Sequence, residues 1–346
     1  MGCKSNETKP NQPEAPLQRI LFVGDSFTHG RYTPVRQYNG NGTNNNLTGS
    51  NLVFDENYGL TGARKELEPG PYGGIPGIFA EMASESGQNY DVHIEAISAT
   101  SLDKNFAAAS GVIAQSKWNA VVLQELSSRP LPYSLTKDAT SDPSNFCSTV
   151  ETIEKAVHQA SSAAKIYLYE PWPRADLATT LSGGDTSSAN FNSAYLKNLS
   201  VLADANHNVY YSAALHDGNI AAVAPTGDAW VNAWAANVAA PSPYATISAE
   251  PLLYYGLNAV NNPAITSPDY IHPSIYGAYL SALVLFQQIT HADVRTLGAQ
   301  EKAAVALNIP ANIAVKLQAI AWQTVMQESA QPINQSVDPC TIGLNQ

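Results

Sequence analysis

Short apolar runs bounded by turn-forming residues alternate with longer stretches in which apolar positions recur every three or four residues. Five runs read as strands: Ile20–Val23, Val92–Ser98, Ala120–Gln124, Ile166–Tyr169 and Ile220–Ala224. Between them the periodicity predicts helices over about Pro76–Ser86, Asn105–Gln115, Ser148–Ala160 and Asn190–Asp217. Gly87 and Gly218 fall where the first and last of these should stop. Two further helices follow, Ser274–Thr290, with Pro273 at its first turn, and Ile313–Gln327. Strands alternating with helices are the pattern of an α/β fold on a parallel sheet.

No internal repeat or low-complexity linker divides the chain. Residues 19–330 therefore read as one domain, with a polar tether at 1–18 and a tail at 331–346. One stretch departs from the alternation. Residues 31–72 place far more chain between the first strand and its helix than the connection needs. Because this segment leaves from beside Ser26, a lid or binding hairpin and a plain surface loop are both open readings.

In open parallel sheets, ligands bind beyond the carboxyl ends of the strands. The residues following the strands here are Gly24, Asp25 and Ser26; then Ala99, Thr100 and Ser101; then Gln124 and Glu125; then Glu170 and Trp172. One rim thus collects a hydroxyl, an amide side chain and a small backbone turn. A serine attacks a carbonyl only when a base takes its proton, usually a neutral imidazole held by a carboxylate. Of the seven histidines, His272 is best placed, in "SPDYIHPSIYG". It stands at the opening of a helix, and Asp269 three residues earlier can fold back on Nδ1. His29 is nearer Ser26 in sequence, but a helix starting there would carry it away. His93, His158, His207, His216 and His291 read as structural or surface residues.

Composition narrows the classes. The 346 residues carry a formal charge of −11, with only 14% charged positions. No basic patch is available to neutralise phosphates, which argues against nucleic acid as a partner. The acidic residues are scattered and read as solubility. The longest apolar stretch, "AYLSALVLF", is too short to span a bilayer. Neither His-Glu-x-x-His, nor Cys-x-x-Cys, nor a phosphate-binding glycine loop is found, so no metal or cofactor is implied. The Gly-x-Ser-x-Gly elbow is missing too, with Thr28 at its last position.

The start, "MGCKSNETKPNQPEAP", resembles that of a mature bacterial lipoprotein, with Cys3 as the lipidated residue; a chance cysteine in a polar tail is the alternative. The first reading places the protein outside the cytosol, secreted or at the cell surface or periplasm, touching membrane only through that anchor. In such a compartment Cys147 and Cys340 would be free to pair, tying the tail to the body. Two separate thiols are the other outcome.

"GDSFT" near the start and "DYIHPS" near the end resemble the first and last blocks of the SGNH (GDSL) hydrolases. The resemblance implies a flavodoxin-like three-layer α/β/α sandwich around a central five-stranded parallel sheet. It implies a serine carboxylic-ester hydrolase with Ser26 as nucleophile, His272 as base and Asp269 as orienting acid. For the oxyanion it implies the N–H groups of Ser26 and of Ala99, which stands where the family has glycine, and the amide of Gln124. "LQE" in place of the usual Gly-x-Asn-Asp points to a divergent branch. The resemblance leaves open an acyltransferase with the same triad, and a non-catalytic glycan-binding surface lipoprotein. Trp172, Trp230 and Trp234 bear on that last alternative, with Trp172 as a substrate-binding residue, although core packing is the reading preferred for all three. The partner implied is a small-molecule or carbohydrate ester.

Overall fold

A computed structural model describes residues 15–42, 53–244, 249–256, 268–328 and 338–344. Cys3, most of the expected tether, residues 43–52 of the insertion, 329–330 at the end of the domain and 331–337 and 345–346 of the tail are among those outside the described residues.

The strands are β1 (Gln18–Gly24), β2 (Gly40–Asn41), β3 (Val53–Asp55), β4 (Tyr90–Ala96), β5 (Ala120–Leu123), β6 (Lys165–Glu170) and β7 (Ala222–Pro225). The helices are α1 (Ser26–His29), α2 (Gly74–Glu85), α3 (Leu102–Ile113), α4 (Tyr133–Thr136), α5 (Pro143–Ala160), α6 (Ala175–Leu181), α7 (Phe191–Asp217), α8 (Thr226–Ala235), α9 (Ile275–Thr290), α10 (Lys302–Ala306) and α11 (Ala311–Gln327). All strand pairs are parallel, in the order β2-β3-β4-β1-β5-β6-β7.

The sheet has seven strands where five were expected. Without β2 and β3 its order is β4-β1-β5-β6-β7, the flavodoxin-like 2-1-3-4-5. The two additional strands come from the insertion, which pairs Val53 with Val92 and Asp55 with Ile94 along the free edge of β4. Strands of two and three residues in a Gly- and Asn-rich stretch carry too little alternation to register as a pattern. They exist because the edge of β4 offers unpaired backbone groups for them to bond.

β1 is the centre of the sheet, with Phe22 opposite Ile94 on one side and Val122 on the other. Ile20, Leu21 and Phe22 are wholly buried, which explains a run with no alternation: helices cover both faces. α2, α8, α9 and α11 pack as one layer, and α3, α5 and α7 form the other. Every residue of α9 from Ile275 to Ile289 is buried. A helix enclosed by three others and the sheet has no face for water, so it is apolar all round. Cys147 of α5 is joined to Cys340, 193 residues later, fastening a short 3₁₀ turn (Pro339–Thr341) to the helical layer.

Because the chain leaves β1 for one half of the sheet and later returns to the other side of β1, the C-terminal end of β1 is the topological switch point. A crevice opens there in such sheets. Ser26 lies two residues past that end.

Candidate active site

Gly24 ends β1 and cannot be larger. A Cβ there would stand 2.2 Å from Thr28 Oγ1 and 2.5 Å from Gln124 Oε1. Asp25 then caps α1, its Oδ1 accepting from Phe27 N at 2.8 Å. The capped turn leaves Ser26 as the first helical residue, facing the rim. Burial pushes the Asp25 carboxyl up to about 7, against hydrogen bonds from Phe27 and Gln124 and the charge of Arg174.

His272 Nε2 lies 2.8 Å from Ser26 Oγ across 246 positions of sequence. Its Nδ1 lies 2.6 Å from Asp269 Oδ2. Asp269 is held on both oxygens: Oδ1 accepts the backbone N–H groups of Ile271 and His272 at 3.0 and 3.1 Å, and Oδ2 also accepts the Tyr32 hydroxyl at 2.9 Å. Burial disfavours the ionised form of Asp269, but these bonds and the charge of His272 outweigh it and hold the carboxyl below its ordinary value. A carboxylate can only accept, so the ring carries its proton on Nδ1 and presents Nε2 as a lone pair to the serine.

The loop bearing His272 is fixed by its neighbours. Tyr255 N donates to His272 O at 2.8 Å, and Ser274 N donates to Leu253 O at 2.7 Å. Ser274 is the cap of α9, accepting from Tyr276 N and Gly277 N. The helix therefore begins at Ile275, and Pro273 precedes the cap instead of occupying the first turn as expected. His272 stays outside the helix either way.

Trp172 is core and not a substrate-binding residue. It is 1% exposed, stacked between Phe27 at 4.4 Å and Trp230 at 4.5 Å. Its Nε1–H donates to Ile271 O at 2.9 Å. The indole thus props the histidine loop against the turn that carries Ser26.

Among the described residues, neither the Ser26 N–H nor the Ala99 N–H meets a protein acceptor. β4 ends at Ala96, two residues before the expected Ser98, and a turn over Ser98 and Ala99 follows. Ala99 adopts φ +55°, the left-handed region that glycine occupies freely and alanine at a cost of about 1 kcal/mol. This position holds the backbone conformation of a glycine without the residue.

Gln124 does not present a donor in the way the resemblance implied. Its Oε1 accepts from Asp25 N at 3.0 Å and Thr28 Oγ1 at 2.8 Å, and its Nε2 donates to the carbonyl of Glu125. The amide is turned into the turn after β1 and braces it.

His29 is wholly buried and bonds to a separate chain of groups. Its Nδ1 accepts from Arg31 N at 3.1 Å, so Nε2 carries the proton and donates to Ser98 Oγ at 2.8 Å; Ser98 in turn donates to Glu68 Oε2. Burial and then the charges of His272, Arg36 and Arg31 hold its pKa well below the ordinary value. Tyr32 and Glu68 both belong to the insertion, which also lines a cavity of about 350 Å³ with Gly59, Leu60 and residues 65–69. Tyr32 had no signal in the sequence beyond its nearness to Ser26, because its partner Asp269 is 237 positions away.

The fold is a three-layer α/β sandwich on a parallel sheet, with the Ser26 turn at its switch point. No family model matches the chain, and no curated protein is similar to it in sequence. Among solved structures, the chain is similar to a DUF4886 family protein from Bacteroides uniformis, at 14% identity and a TM-score of 0.52, over 93% of this chain and 100% of that one. It is similar also to a putative GDSL-like lipase from Parabacteroides merdae, at 14% identity and TM-score 0.44, over 81% and 100%. A third is a catalytic mutant of an acetylxylan esterase from Geobacillus stearothermophilus, at 14% and 0.40, over 79% and 93%. At such identities the likeness is one of fold.

Proposed function

We propose that this chain is a serine carboxylic-ester hydrolase working through Ser26, His272 and Asp269. The observation that carries the reading is the unbroken line Ser26 Oγ, His272 Nε2, Nδ1, Asp269 Oδ2, with links of 2.8 and 2.6 Å. Nε2 takes the proton as Oγ attacks the ester carbonyl, and the carbonyl π pair moves onto oxygen. Asp269 stabilises the imidazolium so formed without itself being protonated. The N–H groups of Ser26 and Ala99 hold the oxyanion, each such donor contributing on the order of 3 kcal/mol to the transition state. The bond to the alcohol oxygen then breaks, with the proton on Nε2 passing to that oxygen. Water repeats the sequence on the acyl-serine. Gln124 acts through the turn, by fixing the Asp25 N–H and Thr28. The joined Cys147 and Cys340 support action in an oxidising compartment, outside the cytosol.

The test is labelling by a fluorophosphonate probe, alongside hydrolysis of a chain-length series of nitrophenyl esters. The wild-type chain should label one-to-one and release nitrophenol. Ser26→Ala should do neither while unfolding at the same urea concentration. A Ser26→Ala protein that hydrolyses the ester at the wild-type rate would reject the assignment.

A further inference from the structure

Away from Ser26, three ligand-bearing side chains meet at the edge of the sheet. Glu170 ends β6, His207 lies in the middle of α7, and Asp228 is in the first turn of α8. One oxygen from each carboxylate and one ring nitrogen of His207 lie within 4.8 Å of one another.

Two features separate this cluster from an ordinary group of acids. Glu170 is wholly buried, and its oxygens have no side-chain partner, only the backbone N–H of Asp228 within weak reach. His207 Nε2 is also buried and unpartnered. Asp228 Oδ2 lies 2.9 Å from His207 Nδ1, close enough for one ion to take both once it displaces the proton between them. The backbone is shaped for closeness as well. A Cβ at Gly227 would stand 2.8 Å from Glu170 Oε1, so only glycine lets the start of α8 lie against that carboxyl.

The charges acting on Glu170 are those of Asp228 and Glu328, both negative. Asp204, one turn before His207 on α7, adds a further carboxyl near Asp228. A buried carboxyl without a charged partner is relieved either by a proton or by a cation that displaces it. A buried water could donate two hydrogen bonds here, but it would supply no positive charge.

We propose that Glu170, His207 and Asp228 form a binding site for one divalent transition-metal ion, of the zinc or manganese kind, that fastens β6, α7 and α8 together. One imidazole and two carboxylates suit these ions better than calcium or magnesium, which take oxygen donors. Bonds of about 2.1 Å place tetrahedral donors roughly 3.4 Å apart, so donors up to 4.8 Å apart close by as much as about 1.4 Å when the site is filled. Asp228 is partly exposed and gives the ion its way in. The sequence held no sign of this site, because its donors come from three separate segments with no metal-binding spacing.

The test uses the whole chain, stripped with a chelator and titrated with zinc chloride, manganese chloride and calcium chloride. Bound metal is read by elemental analysis after gel filtration, and the unfolding temperature by calorimetry. Zinc or manganese should bind one per chain and raise Tm by roughly 3–6 °C at a hundredfold excess over Kd; calcium should do neither. Glu170→Gln, which removes a buried charge, should unfold no lower than the stripped wild type and should lose the metal-dependent rise. Asp228→Asn, at a partly exposed position, should weaken binding about tenfold or more. No ion bound to the wild type, or equal binding by wild type and both variants, would overturn the site. Neither result touches the Ser26 reading, which is judged by the fluorophosphonate experiment alone.

Discussion

Replacing Asp269 by asparagine changes one atom and should reverse the histidine. Oδ1 of Asp269 accepts two backbone N–H groups, from Ile271 and His272. An asparagine must keep its carbonyl oxygen there, since an NH₂ group would face two donors. Its NH₂ is then forced into the place of Oδ2, opposite His272 Nδ1 and the Tyr32 hydroxyl. Facing a donor, the ring must present Nδ1 as a lone pair and carry its proton on Nε2, pointed at Ser26. That tautomer cannot accept the serine proton. In triads of this design the wrong tautomer lowers kcat about 10⁴-fold, and at 1.36 kcal/mol per tenfold this is about 5 kcal/mol.

The assay is kcat on nitrophenyl acetate from pH 5 to 10, with urea unfolding as the control for folding. Tyr32→Phe removes only one of the four bonds to Asp269 and should lower kcat roughly tenfold, the value of one hydrogen bond to a charged group. An Asp269→Asn protein within tenfold of wild type would refute the tautomer argument. So would equal losses in the two variants. The pH sense is fixed as well. The folded-state pKa of Asp269 lies below its ordinary 3.8, so its contribution to stability is complete above about pH 4 and is lost as pH falls through the lowered value.

Glu125 should produce the opposite trend. Burial raises its carboxyl from 4.5 to about 8, against N–H bonds from Leu102 and Leu126, so between those values the folded chain keeps a proton that the unfolded chain has released. Unfolding free energy should therefore fall as pH rises from 5 to 8, and in Glu125→Gln that fall should shrink by on the order of 2 kcal/mol; parallel curves by urea titration would count against it. Trp172→Ala should cost about 3–5 kcal/mol of stability as a cavity opens between Phe27 and Trp230. Trp172→Phe should keep most of that stability yet lower kcat, having lost the bond to Ile271 O; unchanged kcat would mean the indole does not hold the histidine loop. Reducing the Cys147–Cys340 bond should destabilise the chain by up to about 5 kcal/mol, from the loop it closes. Identical unfolding curves with and without reductant would show the pair contributes nothing.

Much of the plan was legible along the chain because its signals are local. A buried run such as Ile20–Val23 is apolar wherever it is found, and Gly24-Asp25-Ser26 follows it directly. Asp269 and His272 are three residues apart, so their contact needs little beyond one turn. The strand order was not legible in the same way: β2 and β3 owe their existence to the free edge of β4, and their own residues carry no period to announce them. Gln124 was misplaced, and Trp172 was left between two roles, for a related reason. Their residue types fit a donor and a sugar platform, but which way an amide or indole turns depends on neighbours such as Thr28, Phe27, Trp230 and Ile271, drawn from all along the chain.

By itself, then, the sequence determined the alternation of strand and helix, the turn that presents Ser26 and the local pairing of Asp269 with His272, since each rests on backbone preference and burial within a few residues. Tertiary structure alone decided that Tyr32 reaches Asp269, that Gln124 faces inward and that Glu170, His207 and Asp228 converge. Packing brings those groups together across long separations, and distance in space leaves no mark on spacing in sequence.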